Sequence, residues 1–282
     1  MMAISEMRAH EEKMSNVEFS NLVAKGRHSM QAIDVVMLTR NSECVLNECL
    51  RSVYENVPVN RLIIVDRFSA DETLKIIERY DKEYGNIVVL LREGTRAMAR
   101  QEGIEKVVTE WFMFVDSDVV LCKDWFKKAW RLVDEEVGAI WGVDVPGNIK
   151  SSFLLKILTQ VSMRSFNARG GTHDILVRHE VVKDIEIPGN LHVYEDAFIK
   201  KWVLEKGHKV IATYDPYCIH FKPVEDWALR NSVYSAALEI KHGFLRYPRL
   251  YHLYSAVHWL IAFLFSIPFN SQDEQKVRNR RL

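Results

Sequence analysis

Apolar residues in the first half of the chain fall into two alternating patterns. Segments 33–38 and 111–115 are almost wholly apolar, as strands buried on both faces of a parallel sheet are. Between such runs, apolar residues recur every three or four positions, which is typical of amphipathic helices. The predicted strands are 33–38, 62–65, 87–91 and 111–115, and the predicted helices are 45–54, a stretch around 74–80, and 95–108. Strands alternating with helices predict right-handed β-α-β units and a doubly wound, mostly parallel α/β sheet of nucleotide-binding type.

The alternation loosens after Trp141. There the sequence predicts strands at 139–145, 175–177 and 210–212, an apolar helix over 153–166, and a second helix that opens near 192–196 and ends at 206. We therefore expect one main domain at 32–221, with a nucleotide-binding half at 32–120 and a second half at 121–221 that builds the other side of the same cleft. A polar extension (1–31) and a helical, partly apolar extension (222–282) flank it.

Composition narrows the function classes. The 282 residues are 48% hydrophobic with a formal net charge of +0, so one large core is expected and no basic field favours nucleic acid. The four cysteines form no Cys-x-x-Cys pair and are interpreted as reduced thiols of a cytoplasmic protein. Residues 1–30 lack the apolar run of a secretory signal.

Acidic residues follow two of the predicted strands. Asp66 ends one strand, and Asp116 and Asp118 directly follow another. Because ligands bind beyond the carboxyl ends of such strands, the Asp-x-Asp pair is a candidate site for a divalent cation that neutralises a diphosphate. A solvated turn or a capping role is the alternative, since isolated Asp-x-Asp sequences are common.

A second acidic pair opens the last predicted helix. The helix N-terminus favours an ionised carboxylate, so Glu195 and Asp196 are candidates for the general base that deprotonates an acceptor hydroxyl. Ordinary capping of the first turn is the other interpretation.

These motifs, in this order, resemble glycosyltransferase family 2, the inverting enzymes of the GT-A fold. The similarity covers roughly 33–220 and includes Thr39-Arg40-Asn41-Ser42-Glu43, the loop 65–73, the segment 94–103, Asp116-Ser117-Asp118 and Glu195-Asp196. The loop 65–73 departs from the family pattern, with Arg67 in place of a second acid and Phe68 where glycine is common. No Gln-x-x-Arg-Trp motif is visible, which favours transfer of one sugar over polymerisation.

The resemblance implies a role for each matching residue. Donor-binding residues would be Thr39, Asn41, Glu43, Asp66, Arg100, Asp116 and Asp118; metal ligands would be Asp118, Asp116 and His220; and Asp196 would be the catalytic base. A purely structural role for His220 stays open. The implied partners are Mn²⁺ or Mg²⁺, a nucleoside-diphosphate sugar, and a glycan or lipid-linked acceptor.

Residues 250–272 carry no Asp, Glu, Lys or Arg. This stretch is short for a spanning helix and is interrupted by His252, His258 and Pro268. Two interpretations remain: a helix that contacts the cytoplasmic face of a membrane, and a buried or dimer-forming helix.

Two other functions also remain open at this stage. A sugar-1-phosphate nucleotidyltransferase shares the architecture, but a Gly-rich phosphate loop is expected after its first strand, and residues 39–43 contain no glycine. A catalytically silent nucleotide-sugar-binding scaffold is the third candidate.

Overall fold

The fold was analysed in a computed structural model that describes residues 31–146, 172–191 and 194–221. Its strands are β1 Ile33–Thr39, β2 Val59–Asp66, β3 Ile87–Leu91, β4 Trp111–Asp116, β5 Val119–Leu121, β6 Val137–Pro146, β7 Asp174–Arg178 and β8 Lys209–His220. Its helices are α1 Glu43–Asn56, α2 Thr73–Tyr84, α3 Arg96–Lys106, α4 Trp125–Trp130, α5 His179–Val182 and α6 Glu195–Glu205.

The eight strands of the described residues form one sheet in the order β3-β2-β1-β4-β7-β6-β8-β5. Strands β1 to β4 are mutually parallel, and β7 joins this half to the rest through antiparallel pairing with both β4 and β6. The β6–β8 pair is parallel and the β5–β8 pair is antiparallel. The expected doubly wound, mostly parallel sheet is therefore confirmed in its first half, and the second half is mixed.

Helices cover both faces of the sheet because successive side chains of a strand point to opposite faces. On one face, Val35 and Met37 pack with Leu46 and Leu50 of α1. On the other face, Val36 packs with residues of α3 and α6. Both faces of β1 are thus buried, which explains its continuous apolar run.

A buried ion pair closes the end of the sheet remote from the predicted site. The Asp34 carboxylate is fully buried and accepts hydrogen bonds from Arg61 Nη2 (2.7 Å), Asn60 Nδ2 (2.8 Å) and the Val108 backbone N–H (2.8 Å). Burial alone would raise the pKa of Asp34, but these donors and the charge of Arg61 hold it below its usual range. The one polar residue of the apolar run 33–38 is therefore paired.

Several sequence predictions fall on residues that the structure does not describe. These are the polar extension up to residue 30, the apolar helix at 153–166, and the whole of the extension 222–282, including 250–272. Within the described ranges, no helix combines the length and hydropathy needed to span a membrane.

Candidate active site

The Asp-x-Asp motif lies where the sequence places it, at the carboxyl end of a central strand. Asp116 is the last residue of β4, and Asp118 lies in the turn before β5. The backbone N–H of Asp116 donates to His173 O (3.2 Å), and the Cys49 thiol donates to Asp116 O (3.3 Å). The turn is therefore fixed from two sides, while the Asp116 and Asp118 side chains stay partly exposed.

The fold brings Asp118 and His220 together although they are 102 positions apart in sequence. Antiparallel pairing of β5 with β8 sets Val119 opposite His220, and His220 Nε2 lies 3.2 Å from Asp118 Oδ2. His220 is 5% exposed and Asp118 is 33% exposed, so the carboxylate is the more accessible member. The predicted association of these two residues is present in the structure.

Arg100 holds the other carboxylate of the motif. It projects from α3, is 2% exposed, and its Nη2 donates to Asp116 Oδ1 and to Thr172 Oγ1 (2.7 Å). Burial alone would raise the pKa of Asp116, but the charges of Arg100 and His173 and the hydrogen bond from Arg100 keep it well below its usual range. The Nε and Nη1 atoms of Arg100 are buried without a hydrogen-bond partner. They are donors available to a ligand that carries oxygens.

His173 belongs to the site but was missed by sequence reasoning. Its Nε2 lies 4.0 Å from Asp116 Oδ2, and its ring centroid is 4.3 Å from that of His220. The antiparallel register that pairs Val115 with Asp174 places His173 beside the end of β4. The one available signal was its position in the sequence, two residues after the Gly170-Gly171 pair.

The residues present fit a divalent cation that has few protein ligands and whose remaining coordination positions would be filled by diphosphate oxygens and water. Asp118 offers carboxylate oxygen, which suits both Mn²⁺ and Mg²⁺, and His220 offers imidazole nitrogen, which suits Mn²⁺ better. One oxygen of Asp116 already accepts a hydrogen bond from Arg100. No group of three or more His, Cys, Asp or Glu residues able to hold a metal occurs among the described residues. Magnesium in nucleotide sites commonly uses one or two carboxylates and completes its shell with phosphates and water.

The loops after β1 and β2 are braced by the predicted donor-binding residues. Asp66 is fully buried; its Oδ2 accepts from Thr39 Oγ1 (2.7 Å) and Ser69 Oγ (2.6 Å), and its Oδ1 accepts from the Ser69 backbone N–H (2.8 Å). The side chains of Asn41 and Glu43 accept backbone N–H groups of the second loop, both at 2.9 Å. These residues fix two loops against each other, and their contact with the nucleotide stays a prediction.

A hydroxyl pair joins these loops to the acidic motif. Ser42 Oγ and Ser117 Oγ lie 2.8 Å apart. Because Ser117 separates the two aspartates of the motif, the loop after β1 and the candidate metal site form one continuous edge of the sheet.

The second acidic pair begins α6, as predicted. Glu195 is 5% exposed, and burial and then the negative charge of Asp196 raise its pKa to about 7, while the charges of Arg100 and Arg96 oppose the rise. Two adjacent carboxyl groups are thus placed in different environments, and Glu195 is about half protonated near neutral pH. Asp196 is the more exposed of the two and is the candidate base.

A lysine lies one helical turn beyond Asp196. Lys200 Nζ is 5.5 Å from the centroid of the buried Trp141 ring. Burial lowers the pKa of Lys200 to about 8, and the charge of Asp196 opposes that shift. The second half of the domain therefore holds a lysine whose pKa burial lowers toward the physiological range.

Comparison with known proteins decides the family. A model described as "Glycosyl transferase family 2" matches residues 34–176, just over half of the chain. The chain belongs to glycosyltransferase family 2. This family 2 chain is 31% identical over 132 residues to a poly(ribitol-phosphate) beta-glucosyltransferase of Bacillus spizizenii, covering 43% of the chain and 21% of that enzyme. It thus spans about a fifth of the length of this relative.

Solved structures show the same fold. A mannosyltransferase from Pyrobaculum calidifontis, solved with GDP-Man and Mn²⁺, superposes with a TM-score of 0.57 at 17% identity over 91% of the family 2 chain and 75% of its own. TarS residues 1–349 from Staphylococcus aureus give a TM-score of 0.54 at 22% identity over 68% and 60% of the two chains. These likenesses confirm the GT-A architecture expected from the sequence.

Proposed function

We propose that the protein transfers one sugar from a nucleoside-diphosphate sugar to an acceptor hydroxyl, with inversion at the anomeric carbon. The observation that carries the proposal is the pairing of Asp118 with His220 on the same sheet edge as a second, separate carboxyl pair, Glu195 and Asp196. Glycosyl transfer needs both parts, because a leaving diphosphate must be stabilised while the acceptor loses a proton. Arg100 connects the parts, since it hydrogen-bonds Asp116 and its charge reaches Glu195.

The reaction is a single in-line displacement. The acceptor oxygen forms a bond to the anomeric carbon as its proton passes to the Asp196 carboxylate. The bond from that carbon to the diphosphate oxygen breaks at the same time, and its electron pair leaves with the nucleoside diphosphate. Because no enzyme nucleophile attacks the sugar, the configuration is inverted.

The donor side stabilises the charge of the departing diphosphate. A divalent cation at Asp118 and His220, when bound, supplies positive charge to the phosphate oxygens. Arg100 holds its buried positive charge and two nitrogen atoms without a hydrogen-bond partner, Nε and Nη1, close to the same carboxylates, and hydrogen bonds from a guanidinium to phosphate are strong. The Mn²⁺ and GDP-Man in the Pyrobaculum mannosyltransferase support a metal and a sugar nucleotide in this site.

The acceptor is the less defined partner. The Bacillus and Staphylococcus relatives are described as poly(ribitol-phosphate) glycosyltransferases, which act on a hydroxylated polymer by name. We favour a hydroxyl over a lipid-linked phosphate, because an ionised phosphate oxygen carries no proton for Asp196 to remove. A glycan or polyol acceptor is therefore the first class to test.

The test separates donor binding from chemistry. Thermal shifts with UDP, GDP, CDP and dTDP, with and without Mn²⁺, report donor binding, because a ligand that binds the folded state raises its stability. Asp118→Asn is expected to lose the Mn²⁺-dependent shift. Asp196→Asn is expected to keep that shift and to lose at least 100-fold in turnover, as removal of a general base does.

Asp184→Asn is the matched control, because Asp184 pairs with Lys206 on the surface. It should keep both binding and turnover. Full turnover in Asp118→Asn and Asp196→Asn would refute the assignment. Nucleotide binding without turnover on any sugar nucleotide and acceptor would favour the silent scaffold.

A further inference from the structure

Phe68 adopts a conformation that a large side chain seldom takes. It lies in the loop after β2 with φ 47°, in the left-handed region, and its side chain is 53% exposed. A bulky residue at positive φ is a backbone outlier that costs free energy, whereas glycine takes this conformation without a steric penalty. An exposed ring also gains nothing from burial in the core. Among the described residues, no core packing of the Phe68 ring offsets the strain at this position.

The neighbouring residues impose this conformation. Asp66 accepts hydrogen bonds from both the backbone N–H and the hydroxyl of Ser69, so the turn 66–69 is closed around Phe68. The backbone N–H of Arg67 donates to Thr39 O (3.0 Å), which ties the same turn to β1. Asn41, itself at φ 49°, accepts the Ala70 N–H. The loop is thus held in place whatever the side chain at position 68 is.

The ring lies on the edge of the sheet that the proposed donor occupies. Thr39, Asp66 and Asp116 end three parallel strands, and β1 separates β2 from β4. Neighbouring strands are about 4.8 Å apart, so the end of β2 is roughly 10 Å from the end of β4. If the diphosphate of the donor lies at Asp118 and His220, its ribose and base can extend along this edge toward β2 and Phe68.

We propose that Phe68 stacks on the nucleobase of the donor and that this contact is the reason a strained aromatic residue occupies the position. The proposal rests on the proposed function, because it assumes that a nucleoside diphosphate binds at this edge. An aromatic ring offers a base a flat apolar surface without selecting its hydrogen-bonding groups. Phe68 would thus supply affinity for the base, and other groups would choose which base is bound.

Three substitutions isolate the ring from the loop. Phe68→Ala removes the ring and keeps a Cβ at positive φ, Phe68→Gly removes the ring and the strain, and Phe68→Tyr keeps an aromatic ring. Isothermal titration with UDP, GDP, CDP and dTDP in the presence of Mn²⁺ gives the affinity of each variant. Inorganic pyrophosphate, titrated with Mn²⁺, is the matched control ligand because it has no nucleobase.

Stacking on an aromatic side chain contributes about 1–3 kcal/mol per base, which is roughly a 5- to 150-fold change in Kd. We expect Phe68→Ala and Phe68→Gly to lose that much affinity for the nucleoside diphosphate and none for pyrophosphate. Phe68→Tyr should stay close to the wild type. Phe68→Gly should also have a higher Tm than Phe68→Ala, because glycine relieves the strain.

Unchanged nucleotide affinity in Phe68→Ala, with wild-type protein that binds, would overturn this inference alone. An equal loss of affinity for pyrophosphate would also overturn it, because the residue would then act on the loop and not on the base. Absence of binding of all four nucleoside diphosphates and pyrophosphate to the folded wild type would overturn the proposed function as well.

Discussion

Replacing Glu195 by glutamine tests the electrostatics of the candidate base pair. Burial and the charge of Asp196 raise the pKa of Glu195 from 4.5 to about 7. One pKa unit corresponds to about 1.4 kcal/mol, so the folded protein binds the proton on Glu195 more tightly than the unfolded chain by about 3 kcal/mol. This stabilisation is fully present below pH 4.5 and is lost as the pH rises through about 7.

Glutamine resembles the protonated acid at every pH and therefore lacks this dependence. Relative to wild type, Glu195→Gln is expected to gain about 2–3 kcal/mol in the free energy of unfolding between pH 5 and pH 8. Urea denaturation followed by circular dichroism at both pH values measures the difference, and contributions from titrating groups that do not interact with Glu195 cancel between the two proteins.

Glu180→Gln is the control, because Glu180 is exposed and its replacement reports the effect of removing a surface carboxylate. A stability difference between Glu195→Gln and wild type that is the same at pH 5 and pH 8 would refute the reasoning. It would mean that Glu195 is not held in a buried environment beside a negative charge.

Three further predictions concern packing and charge elsewhere. Asp34→Ala should lower the free energy of unfolding by about 1–3 kcal/mol at pH 7, because Arg61, Asn60 and the Val108 N–H lose their common acceptor. The loss should shrink at pH 3, where the stabilisation from the lowered pKa of Asp34 is disappearing, and urea denaturation at both pH values checks this. Gly103→Ala should cost about 1–3 kcal/mol in the same assay although alanine favours a helix, because its Cβ would lie 2.3 Å from Val36 Cγ1. Lys200→Met should raise Tm more at pH 7 than at pH 10, since burial disfavours the charged lysine.

The parallel half of the fold could be predicted from sequence because its signals are local. An apolar run predicts a strand buried on both faces, and the structure extends the predicted strands 33–38 and 62–65 only to Ile33–Thr39 and Val59–Asp66. The predicted helix 45–54 begins earlier, at Glu43, because the Ser42 carbonyl accepts the first backbone bonds from Val45 and Leu46. Short elements without a full period, such as β5 and α4, were not predicted.

The second half could not be predicted in detail because its pairing joins distant segments. Strand β8 runs from Lys209 to His220, far beyond the predicted 210–212. In the structure the β6–β8 register shifts between Trp141 and Val143, so the residues between Ala212 and Tyr217 leave the ladder and accommodate Pro216. This long strand carries His220 back to Asp118, which no local pattern indicates.

Arg100 explains why the two carboxyl pairs must be considered together. Its charge favours the ionised form of Asp116, which it hydrogen-bonds, and it also opposes the rise in the pKa of Glu195. A ligand that draws on the positive charge of Arg100, as a diphosphate would, weakens that opposition and favours the protonated form of Glu195. If the donor binds as proposed, its binding is expected to be linked to the protonation state of Glu195, because a ligand that changes a pKa binds with an affinity that depends on that proton. The sharing of one guanidinium between both pairs thus ties occupation of the donor side to the charge state around the candidate base.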